Sequence, residues 1–279
     1  MQLYSINTGF FKLDGGAMFG VVPKSMWNKI NPADENNMCT WAMRCLLVED
    51  ADRLILIDNG IGNKQDEKFF SHYYLHGEDT LDKSLAAAGF HRDDITDVFL
   101  THLHFDHCGG SIVRRKSGDG YVPAFRNARY WSNQRHWDWA THPNAREKAS
   151  FLKENILPIQ ESGQLNFVTE GQGIMPGFEI EFMNGHTEGM MLPKLNYKGR
   201  TVVFMADLMP STGHLPIPYV MAYDTRPLIT LEEKSKFLKT ALEKDYLLFF
   251  EHDPVNECCS LQQTDKGIRT REIFKIAEL

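Results

Sequence analysis

The residues from Thr101 to Gly110 read Thr101-His102-Leu103-His104-Phe105-Asp106-His107-Cys108-Gly109-Gly110, which places three imidazoles and one carboxylate within six positions. Imidazole and carboxylate together suit zinc, iron, manganese and related ions. In an extended segment His102 and His104 project to the same side, because side chains alternate with period two. They can therefore grip one ion together, while Asp106 and His107, past a turn, can reach a second. Gly109 and Gly110 let the backbone bend tightly behind these donors. Chance is a poor rival, since random His-x-His-x-Asp-His matches are expected on the order of 0.001 times in such a chain.

Donors of the same type recur downstream, each after a strand-like stretch. Residues 179–183 read as a strand that runs into Asn184-Gly185-His186-Thr187-Glu188-Gly189. Residues 201–206 read as a buried strand that ends at Asp207. Residues 246–250 read as another, which delivers Glu251-His252-Asp253-Pro254.

The run at 102–110, the Gly-His-Thr loop and the two later donors resemble the ligand signature of the metallo-β-lactamase superfamily. The resemblance covers the chain from about Leu46 to His252. It implies an α/β (α+β) fold, the αβ/βα four-layer sandwich, in which His102, His104 and His186 hold one ion. Asp106, His107 and His252 would hold the other, and Asp207 would bridge them. The implied cofactors are two divalent ions, with zinc favoured and iron or manganese as alternatives. The implied reaction is metal-assisted hydrolysis, in which a hydroxide held by both ions attacks an ester-like bond. Asp106 and Asp207 are then the catalytic carboxylates, Asp106 as proton carrier to the leaving group. His72, His76, His91, His136, His142 and His214 read as structural or surface residues. Cys108 reads as packing behind the loop rather than as a ligand or redox group.

The elements that must position these donors alternate in type. Strands are expected at 2–7, 17–22, 41–48, 54–57, 97–100, 165–168, 178–183, 192–197 and 201–206. The pair 41–48 and 54–57 should turn at 49–52, and Lys198-Gly199 should join two later strands. Residues 23–37 read as a loop. In the family, an Asp-x-Gly strand end such as Asp58-Asn59-Gly60 buttresses the metal loop from behind. Thr80 should cap a helix at 81–88 that stops at Gly89. Helices are also expected at 133–140 and 145–155, covering the site, and at 231–244 with Thr230 as its cap. A last helix is expected from about Thr270 to the end.

With 279 residues and 42% hydrophobic content, the chain can bury one sizeable core, and 1–279 reads as a single domain. A net charge of −7 gives no footprint for nucleic acid. No apolar run approaches the roughly 20 residues of a membrane span. The opening Met1-Gln2-Leu3-Tyr4-Ser5-Ile6-Asn7 has neither a basic n-region nor a long apolar h-region, so no signal peptide is expected. Five scattered cysteines make no disulfide framework and fit a reducing cytoplasm. The expected partner is a small-molecule substrate, with no nucleic acid and no membrane; a homodimer is compatible.

Within the superfamily the layout is nearest the quorum-quenching lactonases and the methyl-parathion-hydrolase-like group. Shared features are the Thr-His-x-His-Phe-Asp-His-x-Gly-Gly run, an extended N-terminal segment and a final Glu-His-Asp. One departure stands out. Those lactonases carry a Tyr three residues after the bridging Asp, and this chain has Pro210 there. Tyr219 and Tyr223 are the candidates to replace it, and the departure weakens the case for acyl-homoserine lactones in particular. Residues 10–37 and 210–227 are irregular and are expected to shape the pocket. A lactone is therefore the first substrate, with thioester, phosphotriester and β-lactam hydrolysis as alternatives. Asp207 counts against the zinc β-lactamases, which usually lack that bridge, and His104 excludes the usual flavodiiron form. The second ligand set counts against a mononuclear iron dioxygenase. An idle binding metalloprotein is the remaining rival.

Overall fold

A computed structural model describes all residues 1–279 and contains fourteen strands and eight helices. In chain order they begin with β1 (Gln2–Asp14), α1 (Gly15–Phe19), α2 (Lys24–Trp27), β2 (Met38–Asp50), β3 (Arg53–Ile57), α3 (Glu67–Ser71) and α4 (Leu81–Ala87). Next come β4 (Asp97–Phe99), α5 (Phe105–Cys108), β5 (Ile112–Arg114), β6 (Tyr121–Pro123), β7 (Arg129–Ser132), α6 (Gln134–Thr141), α7 (Lys153–Glu161) and β8 (Leu165–Phe167). The chain closes with β9 (Phe178–Met183), β10 (Met190–Tyr197), β11 (Arg200–Phe204), α8 (Pro227–Glu243), β12 (Leu247–Phe249), β13 (Cys258–Thr264) and β14 (Gly267–Phe274). The fold is mixed α and β, as expected.

The chain divides into two compact units, Met1–Gly9 with Met43–Gln172, and Phe10–Ala42 with Gly173–Leu279. In the first, β2 and β3 form a hairpin in register from Leu46↔Ile57 to Asp50↔Arg53. Ala51, at φ 51°, makes its turn. β3, β4, β7 and β8 continue the sheet in parallel. Residues 41–48 are all buried, as a strand covered on both faces should be. Leu56, Val98, Leu103, Tyr130, Trp137 and Ile156 belong to one core that joins this sheet to α6 and α7.

The second unit orders its sheet β14-β13-β12-β11-β10-β9. Every pairing in it is antiparallel except β11 with β12, whose connection contains α8. Lys198 (φ 50°) and Gly199 (φ 79°) close the β10–β11 hairpin, both in the left-handed region that a two-residue turn of this hand requires. In each sheet, parallel strands end where the candidate donors begin: β4 before His102, β11 before Asp207 and β12 before His252.

Five expectations about elements fail. Residues 23–37 are not all loop: Lys24–Trp27 forms α2, with the Met26 and Trp27 amides donating to Pro23 O. Residues 17–22 are not a strand: Asp14 accepts from the Ala17 amide at 2.8 Å and starts α1 instead. The helix expected at 145–155 begins only at Lys153, because Asn144 accepts from the amides of Arg146 and Glu147 and holds a turn there. α8 starts three residues before Thr230's expected boundary, with Pro227 at its first position, where a missing N–H costs nothing. The C-terminal helix is a hairpin, β13–β14, turned at Gly267 with φ 91° and bulged between Cys259 and Leu261. The β-branched Ile268, Thr270 and Ile273 favour the strand.

Candidate metal centre

The histidine run leaves β4 and crosses into α5, with His104 at the helix N-cap position. Asp58, at the end of β3, is fully buried and adopts φ 55°, a conformation Asp tolerates better than most residues. Its Oδ1 accepts from the Thr101 amide at 2.8 Å, and its Oδ2 accepts from the Thr101 hydroxyl at 2.6 Å. The same Oδ2 lies 3.1 Å from His107 Nδ1. A carboxylate there holds the proton on Nδ1 and leaves Nε2 as the donor. The family's buttressing role for this strand end is thus visible as three bonds.

Other groups fix the loop from the opposite side. The Leu103 amide donates to His136 Nε2 at 2.8 Å, and Asn133 caps α6 beside it. Phe151 packs against the His104 ring with centroids 4.8 Å apart. Glu147, buried in the turn after α6, accepts from Trp139 and Asn144 and lies 3.5 Å from His104 Nε2. Cys108 is buried, and burial pushes its thiol up to about 12. It donates to Leu103 O at 3.3 Å, in line with a packing role. Gly109 and Gly110 serve differently from the expected bend. Neither has positive φ, but a Cβ would stand 2.1 Å from Ile61 O at Gly109 and 2.2 Å from Asn59 O at Gly110. The requirement is close approach of two backbones.

The remaining donors sit at the ends of β9, β11 and β12. Gly185 admits the backbone of Thr230, which a Cβ would meet at 2.4 Å. Glu233, on α8, accepts from the Asn184 and Gly185 amides at 2.7 and 3.0 Å. Burial holds its carboxyl above the usual range. His186 Nδ1 lies 2.8 Å from Asp224 Oδ1. His252 Nδ1 lies 2.7 Å from the Ala42 carbonyl. Asp207 offers one oxygen to each ring: Oδ2 is 3.2 Å from His186 Nε2, and Oδ1 is 3.3 Å from His252 Nε2.

The ligand atoms gather into groups. Within the first unit the His102 ring centroid lies 4.6 Å from that of His104 and 3.9 Å from that of His107. Within the second unit Asp207 stands between His186 and His252. All seven residues picked out by pattern are buried. The donor set fits divalent ions. In His107, His186 and His252 the Nδ1 atom is engaged by a carboxylate or carbonyl, so each presents Nε2. Imidazoles and carboxylates this crowded and this buried are expensive without a cation among them.

Several contributors had no signal in the sequence. Asp224, Ala42 and Glu147 lie far along the chain from the histidines they meet, and nothing in their local pattern marks them. His136 is structural, as its sequence context implies, and it braces the metal loop. The two irregular stretches do pack together: Ala222 N donates to Ala17 O at 2.8 Å, and Phe19 stacks on His214 at 4.6 Å. Pro210 is buried, and its carbonyl accepts from the His252 amide at 3.1 Å. Tyr219 meets Phe19 edge-on, with centroids 6.3 Å apart, while Tyr223 is 39% exposed.

Residues 44–252 match the model of the metallo-beta-lactamase superfamily. The chain belongs to that superfamily. An N-acyl homoserine lactonase of Bacillus thuringiensis is 26% identical over 267 residues, covering 90% of this chain and 93% of the relative. Among solved structures, a probable metal-dependent hydrolase from Staphylococcus aureus superposes with TM-score 0.88 at 29% identity, covering 98% of this chain and 96% of that one. The dizinc quorum-quenching lactonase AidC, solved with a product, N-hexanoyl-L-homoserine, has TM-score 0.76 at 24% identity, with 98% and 93% covered. The chain is therefore a metal-dependent hydrolase of the metallo-β-lactamase fold, related to lactonases at low identity. No helix is long and apolar enough to cross a membrane.

Proposed function

We propose that residues 1–279 act as one metallo-β-lactamase-fold domain that hydrolyses a small ester-like substrate at a dinuclear centre, with a lactone as the first choice. The observation that carries this reading is Asp207, whose two oxygens each face a different histidine, at 3.2 and 3.3 Å. That is the disposition of a carboxylate that bridges two cations. In this reading His102, His104 and His186 hold one ion, Asp106, His107 and His252 hold the other, and Asp207 serves both. Zinc suits the donors, and iron or manganese would also be accepted by them. When bound, the ions supply an activated water and polarise the carbonyl oxygen of the substrate.

The chain's own residues supply the rest. Asp58 and Asp224 keep His107 and His186 in one tautomer and orientation. Asp106 keeps one oxygen for proton traffic, taking the proton lost by the attacking water and returning it to the leaving oxygen. Tyr73 stays a neutral phenol, because burial, with the charge of Asp106 adding to it, pushes its hydroxyl up to about 12. A lactone suits such a site, since carbonyl and leaving oxygen share one ring and the opened chain asks little of the leaving group. Relatives whose names specify acyl-homoserine lactones support the lactone class. Pro210 does not support that particular lactone. A cytoplasmic setting, without nucleic-acid or membrane partner and compatible with a homodimer, completes the proposal. Five buried cysteines, none of them in a disulfide, agree with it.

A panel of γ-lactones, aryl esters, thioesters, phosphotriesters and cephalosporins tests the reading. Chelator-sensitive turnover of lactones or aryl esters is expected, with little or no cephalosporin cleavage. Selective cephalosporin cleavage with inert lactones and esters would overturn it.

A further inference from the structure

Lys234 is one of the largest fully buried side chains of the protein, and it forms no ion pair. Its Nζ donates to the carbonyls of Pro216 and Tyr219, each at 2.8 Å, and more weakly to Ile217 at 3.4 Å. A charge buried among neutral carbonyls is costly, so its place needs a reason. The segment it holds supplies one. Residues 215–219 read Leu-Pro-Ile-Pro-Tyr, and two of the five lack a backbone N–H. Such a segment has more acceptors than donors. Its own backbone supplies only the Tyr219 amide to Pro216 O at 2.9 Å and the Val220 amide to Pro218 O at 3.1 Å. The ammonium provides the missing donors from α8.

What hangs on this segment is a wall of aromatic rings. Tyr219 meets Phe19 edge-on at 6.3 Å, Phe19 stacks between His214 at 4.6 Å and Trp27 at 5.4 Å, and His214 Nε2 lies 2.9 Å from Met18 O. Gly20 approaches Val220 so closely that a Cβ would meet its carbonyl at 2.4 Å. Moving residues 216–219 therefore moves the Tyr219 ring relative to α1.

We propose that Lys234 is a positioning residue for the substrate site: its ammonium latches residues 216–219, and loss of its charge or its donors releases Tyr219. The role rests on the hydrolase reading, which takes residues 210–227 as part of the substrate wall. The charged and titratable groups facing Lys234 are Asp224 on the preceding loop, Arg269 on β14 and His214. Burial lowers Lys234 to about 7, with Asp224 opposing and Arg269 adding. Burial lowers His214 to about 4, so that ring stays neutral while Lys234 titrates. An ammonium offers three N–H donors to its carbonyls. The neutral amine offers two and turns a lone pair toward oxygen, so the latch loosens as pH rises through neutrality.

Lys234→Met keeps the stem and removes donors and charge, while Lys234→Arg keeps a charge at every pH. Amide exchange of residues 212–222 and the KM for γ-decalactone are measured in all three proteins at about pH 6 and about pH 8, either side of the titration. At the lower pH, Lys234→Met should exchange about tenfold faster in this segment, with β9–β11 unchanged. Its KM should rise several-fold while kcat stays within about twofold, the mark of altered substrate placement. Wild type should lose protection between the two pH values after correction for intrinsic exchange, and Lys234→Met should not. Lys234→Arg should restore both readouts and flatten their pH response. Equal protection in wild type and Lys234→Met at both pH values would overturn the latch. A loosened segment with unchanged KM would overturn the positioning role. Failure of wild type to hydrolyse any ester would strike the hydrolase reading instead, and amide exchange would still decide the latch.

Discussion

Asp207→Ala is expected to bind one metal ion where the wild-type protein binds two, and to lose at least about a thousandfold in kcat, as removal of a central catalytic group does. The carboxylate faces both His186 and His252. Without it, two cations would stand close together with only neutral rings between them. The fold should survive, since β11 ends at Phe204 and its ladder to β12 stops at Phe204↔Phe249. Elemental analysis, circular dichroism and turnover on the best ester check the three parts. Full turnover by this variant would remove the bridging role.

Asp58→Asn should also be damaging, though less so, even though Asp58 touches no substrate and the side chain keeps its shape. Asp58 Oδ2 receives the Thr101 hydroxyl and the His107 Nδ1–H. An amide offers N–H there, so His107 must switch its proton to Nε2, the atom it needs for a metal. Metal affinity should fall about 10–100-fold and activity with it. Competition with a chromophoric chelator measures the first, and excess metal should restore part of the second. An unchanged affinity would mean that Asp58 does not set the tautomer.

These two residues also show how legible the site was. The donors could be read because their spacing is local: His102, His104, Asp106 and His107 fall in one strand-to-helix turn, and His186, Asp207 and His252 each follow a strand written in apolar residues. Asp58 was legible only through resemblance. Asp224 was not legible at all, because its partner lies 38 residues away and neither flank marks it. The same division runs through the fold. The β2–β3 and β10–β11 hairpins follow from alternation and turn residues. The C-terminal hairpin did not, since residues 270–279 mix charges with apolar positions and only pairing with β13 decides their state. α1 was missed for a smaller reason: one capping bond from Asp14 outweighs a weak apolar run.

Metal content tests the central claim most directly. Protein produced in metal-replete medium, dialysed and analysed by inductively coupled plasma mass spectrometry, should hold close to two divalent ions per chain, zinc first. A reproducible value of one, with His107→Ala and His252→Ala leaving it unchanged, would contradict the dinuclear centre.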